Sequence, residues 1–151
     1  MVSFTFMKQR LFLVLAMGCV GITTEIFFTA IMNQIALWPD IENWRLQGNS
    51  YIWMFPIYGI SGWAFPMLLP HIQRFPYIIR MLIYGIGILI VEFLTGWLLD
   101  VFTGQCPWEY TTGLHIMGYI RLDYLPFWML FGGLVEKIVV YLMKMSRQTD
   151  Y

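Results

Sequence analysis

In 151 residues this chain is 59% hydrophobic and only 12% charged, with a mean hydropathy of +0.65. A soluble domain is about a quarter charged, so these charges are too few to cover a globule, which argues against a soluble enzyme. The formal net charge of zero leaves no basic stripe of the kind that binds nucleic acid.

A helix that crosses a bilayer takes roughly 20 mostly apolar residues. Lys8 and Arg10 ahead of the first apolar residues resemble the start of a signal peptide. The apolar run continues through Ile22, Phe27, Phe28, Ile31 and Ile35, however, so a retained spanning helix is predicted over 11–37, with a cleaved signal as the alternative. The second helix is predicted over 51–69; Pro56, Gly59, Gly62 and Pro66 punctuate it, and Pro66 removes a backbone hydrogen bond and should kink it. The third and fourth are predicted over 77–100 and 124–143. The expected fold is an all-α integral membrane protein, a bundle of about four transmembrane helices forming one domain over 1–151.

Basic residues orient spans because Lys and Arg collect on the cytoplasmic side. With both termini cytoplasmic, that side holds Lys8, Arg10, Arg74, Arg80, Lys137, Lys144 and Arg147, against Arg45 and Arg121 on the other. Trp38, Trp44, Trp53, Trp97, Trp108 and Trp128 then gather at the outer interface, where amphipathic rings prefer to sit.

Three glutamates stand inside the apolar runs: Glu25, Glu92 and Glu136. A carboxylate in hydrocarbon is rare without a partner or a task. Counted from the outer helix ends, the three lie about 8 to 12 residues in, which places them near one depth at 1.5 Å per residue. Three close carboxylates would repel, so the layer needs protons, an ion, a cationic ligand or a basic side chain. Lys137 follows Glu136 directly and points about 100° away on a helix, and Arg80 is assigned to the cytoplasmic interface. No internal base is therefore expected to neutralise the layer. Thr29 at i+4 from Glu25 and Thr95 at i+3 from Glu92 line the same faces as their glutamates, adding oxygens that suit a hard cation or a proton relay. The alternative is structural: protonated glutamates that bond neighbouring helices and hold the bundle together.

The loop between the third and fourth helices is rich in Trp and Pro. Cys106, Pro107, Trp108, Glu109 and Tyr110 combine turn residues with amphipathic rings, and the segment is expected to fold back over the outer mouth as a lid. The alternative is an interfacial anchor with an inert thiol. Cys19 reads as a small buried hydrophobe, and His71 and His115 lie in separate loops, so no zinc site is expected. Gly85, Gly87, Gly132 and Gly133 permit close helix approach. No Walker A or kinase pattern occurs, so the chain does not itself hydrolyse ATP.

Several blocks carry a family resemblance. They are Glu25-Ile-Phe-Phe-Thr-Ala30, Ile57-Tyr58-Gly59, Glu92-Phe-Leu-Thr-Gly96, Cys106-Pro-Trp-Glu-Tyr110 and Gly118-Tyr-Ile-Arg-Leu-Asp-Tyr124, followed by Trp128 and Gly133. In that order they resemble the small membrane proteins that include transmembrane protein 229 in animals and the bacterial "putative ABC-transporter type IV" proteins. Glu109-Tyr110-Thr111 stands where that family usually has Asp-Tyr-Ser, and the acid at Asp123 varies. The resemblance implies a multispanning fold in a bacterial-type plasma membrane and says little about activity.

Three functional readings follow. In the first, the acidic layer binds or translocates a cation, a proton or a small cationic solute, with Glu25, Glu92 and Glu136 as ligands, Thr29 and Thr95 assisting, and a homodimer or larger complex completing the pathway. In the second, the chain is an accessory subunit of a membrane complex. In the third, it is an intramembrane enzyme acting on lipids, although no nucleophile–base pair or metal triad accompanies the glutamates. No cofactor is identified, a bound cation being one option the acidic layer leaves open, and the lipid bilayer is the expected partner.

Overall fold

The computed structural model describes residues 2–36 and 46–148. The chain forms α1 (Val2–Ala36), α2 (Met54–Ile72) and α3 (Tyr77–Thr103), then a hairpin of β1 (His115–Ile116) and β2 (Ile120–Arg121), a 3-10 turn and α4 (Leu125–Gln148). Stretches long and apolar enough to cross a membrane occupy Met7–Ala36, Tyr77–Thr103 and Leu122–Ser146. The all-α membrane fold with four helices is therefore as expected, but three of the four qualify as spans. In α2, glycines, aromatic residues and prolines replace the aliphatic residues that carry hydropathy in the others.

The helix ends depart from the expected ones for local reasons. Position 37 and the loop residues Trp38, Asp40, Glu42, Trp44 and Arg45 lie outside the described residues. Helix α2 begins only after a turn closed by the Met54 N–H on the Tyr51 carbonyl, and it continues through both Pro66 and Pro70. Helix α3 runs three residues past the expected end. Gly104 closes it in the left-handed region (φ 72°), its N–H bonded to the Asp100 carbonyl, a conformation that costs glycine little.

The chain divides into two compact units, Met1–Ala64 with Met145–Tyr151, and Phe65–Lys144. In the first, α1 and the start of α2 meet through small residues. The Gly21 backbone lies against the Tyr58 ring, Gly18 against Phe55, and Gly62 against the Leu13 carbonyl, so a side chain at any of these would force the helices apart. Leu13, Met17 and Ala30 are buried on α1. The segment after the undescribed residues is tied back to α1: Thr29 exchanges hydrogen bonds with the backbone of Asn49, and the Asn33 amide donates to the Gln47 carbonyl.

In the second unit α3 and α4 run antiparallel. Gly132 receives Tyr84, Gly133 receives Tyr77 and Met81, and Gly85 receives Met129. Three of the four glycines singled out as approach points thus serve as such, while Gly87 faces open space. Met81, Tyr84, Leu89, Val135 and Val139 are buried, and Phe65 stacks on Tyr84. On the opposite side of α3, Ile78, Leu82, Ile86, Ile90 and Leu94 stand exposed at i+4 intervals, an apolar stripe fit for lipid. Cys19 is exposed on α1, not buried as expected. In a spanning helix, lipid solvates a small apolar side chain as well as protein does, so hydropathy does not fix its facing.

Candidate functional site: two glutamate rungs and a folded-back loop

The second unit holds two of the three glutamates at separate levels. Glu136 is 7% exposed. Arg80 Nη2 donates to its Oε1 at 2.8 Å, Arg80 Nε to its Oε2 at 3.1 Å, and the Tyr84 hydroxyl to Oε2 at 2.5 Å. Arg80 and Tyr84 are one turn apart on α3, so both reach the same point of α4. The rung is closed: both carboxylate oxygens are bonded and the charge is matched. Tyr77 adds a hydroxyl bond to the Gly133 carbonyl, and its ring lies within 5.2 Å of the Arg80 guanidinium.

This overturns one expectation: Arg80 pairs with Glu136, so a basic side chain does neutralise one of the glutamates. The physical reason is reach: the long guanidinium side chain of the first α3 turn meets a carboxylate across the antiparallel pair, a meeting that depth counted helix by helix does not reveal.

Glu92 lies eight residues beyond Tyr84, about 12 Å along α3. Its neighbour on α4 is Trp128, eight residues before Glu136. Here the partners are neutral. The Tyr110 hydroxyl donates to Glu92 Oε1 at 2.7 Å. The Trp128 indole N–H lies close enough to act on the carboxylate without closing a bond: Glu92 Oε2 and Trp128 Nε1 are both buried, and neither has a hydrogen-bond partner. Among the described residues no cation pairs with Glu92; the ion pairs are Arg80–Glu136 and Arg121–Asp123.

Tyr110 reaches Glu92 because the loop folds back along α3. Glu92, Gly96 and Asp100 form a stripe at i, i+4 and i+8, and each receives a loop group. Tyr110 bonds Glu92, while Cys106 and Trp108 lie against Gly96, where a Cβ would stand 3.3 Å from Cys106 Sγ and from Trp108 Nε1. The Tyr119 hydroxyl donates to Asp100 at 2.6 Å. Inside the loop the Trp108 indole donates to the Tyr119 carbonyl, the Cys106 thiol to the Trp108 carbonyl, and the Tyr110 N–H to the Gly118 carbonyl. The hairpin turn needs two successive positive φ angles, at Met117 (52°) and Gly118 (78°); the first is uncommon for a residue with a side chain.

Burial pushes the Cys106 thiol up, and the carboxylates of Asp100, Glu109 and Glu92 push it further, so it is held protonated and weakly nucleophilic. Burial and the bond to Glu92 hold the Tyr110 phenol well above its usual range. Pro107 is half-buried in the loop, and Glu109 is exposed.

The remaining sequence-selected residues stand as follows. Glu25 belongs to the first unit, with the Tyr58 and Ser50 hydroxyls beside it and its Oε2 buried without a partner. The Thr29 hydroxyl is committed to Asn49 and to the Ile26 carbonyl. That of Thr95 bonds the Val91 and Glu92 carbonyls of its own helix. Neither threonine hydroxyl bonds its glutamate's carboxylate. Among the described residues no group of three or more His, Cys, Asp or Glu is placed to hold a metal ion.

Sequence reasoning missed Arg80 and Tyr84 as partners of Glu136 and Trp128 as the neighbour of Glu92. The spacing of Arg80 and Tyr84 was a usable signal, two donors one turn apart in a spanning helix. Trp128 carried none beyond its type.

No solved structure matches this chain. A family model described as "Putative ABC-transporter type IV" matches residues 11–150. With nearly its whole length matched, the chain belongs to that family of membrane proteins.

Proposed function

We propose that this transporter-like membrane protein binds its solute or proton at Glu92, beneath the Cys106–Tyr110 segment acting as a lid. The observation that supports this reading is the open oxygen of Glu92. In a spanning helix a carboxylate surrounded only by neutral donors must gain a proton or a positive charge from elsewhere. Glu136, already matched by Arg80, has no such need and is read as structural. Glu25, with an open oxygen of its own, is the second candidate ligand. Four helices rarely enclose a complete pathway, so the working form is expected to be a homodimer or a larger complex.

The test is thermal unfolding of the purified protein with a panel of inorganic and organic cations, from mildly acidic to mildly alkaline pH. Wild type is compared with Glu92→Gln. The proposal expects a stabilisation by one cation, or by acid, that is absent in Glu92→Gln. A response that survives unchanged in Glu92→Gln removes Glu92 from the site.

A further inference from the structure

We infer that the solute of the Glu92 site is an organic ammonium ion, a primary amine on a small apolar or aromatic body, and not a metal ion; this rests on the Glu92 reading above. The carboxylate offers one open oxygen, and the nearest side-chain hydroxyls are taken. Tyr110 is donating to Oε1, and Thr95 is committed to its own helix carbonyls. A hard metal ion takes six or more oxygen ligands or keeps several waters, and no cluster of ligating side chains accompanies Glu92 among the described residues. An ammonium needs far less: it donates a charge-assisted bond to Oε2 and leaves its body to be packed.

The two side chains beside the Glu92 carboxylate, Tyr110 and Trp128, are aromatic, and each carries further rings: Tyr110 meets Tyr124 edge to face at 5.8 Å, and Trp128 meets Phe127 at 5.3 Å and Phe131 at 6.0 Å. Aromatic faces attract organic cations within about 6 Å, and aromatic edges accept an apolar body. The loop over Glu92 carries the same sign. The carboxylates of Asp100, Glu109 and Glu92 all act on Cys106 Sγ, while the cation of this loop, Arg121, is tied to Asp123 and to the Tyr124 hydroxyl. A mouth with unmatched negative charge raises the local concentration of cations.

The experiment uses the full-length protein in nanodiscs with 15N-labelled tryptophan. The Trp128 indole signal is assigned by its loss in Trp128→Phe. Benzylammonium is titrated beside its neutral isostere, benzyl alcohol, and beside sodium, potassium and magnesium at matched ionic strength. The expected result is a saturable shift of the Trp128 signal with benzylammonium alone, weakened about tenfold or more in Glu92→Gln as a charge-assisted bond is lost. In Tyr110→Phe, which frees Oε1, binding should tighten, and this arm decides the matter if Glu92→Gln does not fold.

Equal binding of benzyl alcohol, or no tightening in Tyr110→Phe, overturns the ammonium assignment. Saturation by a metal ion that needs Glu92 overturns it too but leaves Glu92 as the site. A shift that answers only to pH and is lost in Glu92→Gln leaves a proton site alone. A spectrum unmoved by any cation or by pH sinks both readings.

Discussion

The two glutamate rungs of the α3–α4 pair share a scaffold and differ in how they are satisfied. Both present a carboxylate inside an apolar helix, and their levels lie eight residues apart along each helix of the pair. At Glu136 a guanidinium and a phenol fill both oxygens. At Glu92 a phenol from the loop fills one, and the other faces an indole N–H that does not reach it. The closed rung has the properties of a fastener, because nothing further can bind without breaking a matched pair. The open one retains an unmet need for charge or protons and is covered by a segment from outside the helices. On the proposed reading, the completeness of its partners, and not burial alone, separates a structural acid from a binding one.

The largest expected effect tests the fastener. Glu136→Ala leaves the half-buried Arg80 guanidinium without its carboxylate and should cost about 3 kcal/mol in reversible unfolding. The double variant Arg80→Met, Glu136→Met should recover most of that loss, since an isosteric apolar pair removes both desolvation penalties. Wild-type stability in Glu136→Ala would contradict the structural reading. Next comes the helix contact beside the rung. Gly132→Ala places a Cβ against Tyr84 and should cost about 1–3 kcal/mol through overpacking, read from the same unfolding curves.

The open rung should respond weakly in stability and clearly in access. Tyr110→Phe removes one hydrogen bond, about 1 kcal/mol. In a Cys19→Ser background it should also speed alkylation of Cys106, because the loop loses its tie to α3; an unchanged alkylation rate would show that Tyr110 does not hold the loop down. Glu92→Gln should change stability by less than about 1 kcal/mol in either direction, since Gln still accepts from Tyr110 and carries no charge. A loss as large as that of Glu136→Ala would erase the distinction between the rungs.

The smallest effect concerns alkaline pH. The Tyr110 phenol titrates higher in the folded protein than in the unfolded chain, through burial first and the Glu92 bond second. Its contribution is thus fully present below the ordinary phenol range, near pH 10, and is lost as pH rises beyond it. Wild type should lose stability there faster than Tyr110→Phe, and parallel pH profiles for the two would assign the alkaline loss to other groups.

The Cys106–Tyr110 loop illustrates how far sequence carried. Trp and Pro in the Cys106–Tyr110 segment indicated an interfacial loop that turns back, and the chain does turn back along α3. The contacts that define it were not legible. Tyr110 on Glu92, Tyr119 on Asp100 and Trp108 against Gly96 join residues 12 to 19 positions apart, and hydropathy has no term for such pairings. The different levels of Glu92 and Glu136 on the α3–α4 pair were missed for the same reason: counting from helix ends ignores how far α3 runs past the start of α4.

Composition and the length of the apolar runs by themselves determined that this is a helical membrane protein, because bilayer thickness sets the length of a span and backbone hydrogen bonding demands helices within it. They also determined that buried carboxylates would be the residues to explain. Tertiary structure decided which of those acids is matched and which is open. That depends on the register and rotation of antiparallel helices, fixed here by close approach at Gly85, Gly132 and Gly133, and on the path of one loop. Lipid solvates every apolar face alike, so packing and partner geometry, rather than hydropathy, choose the face.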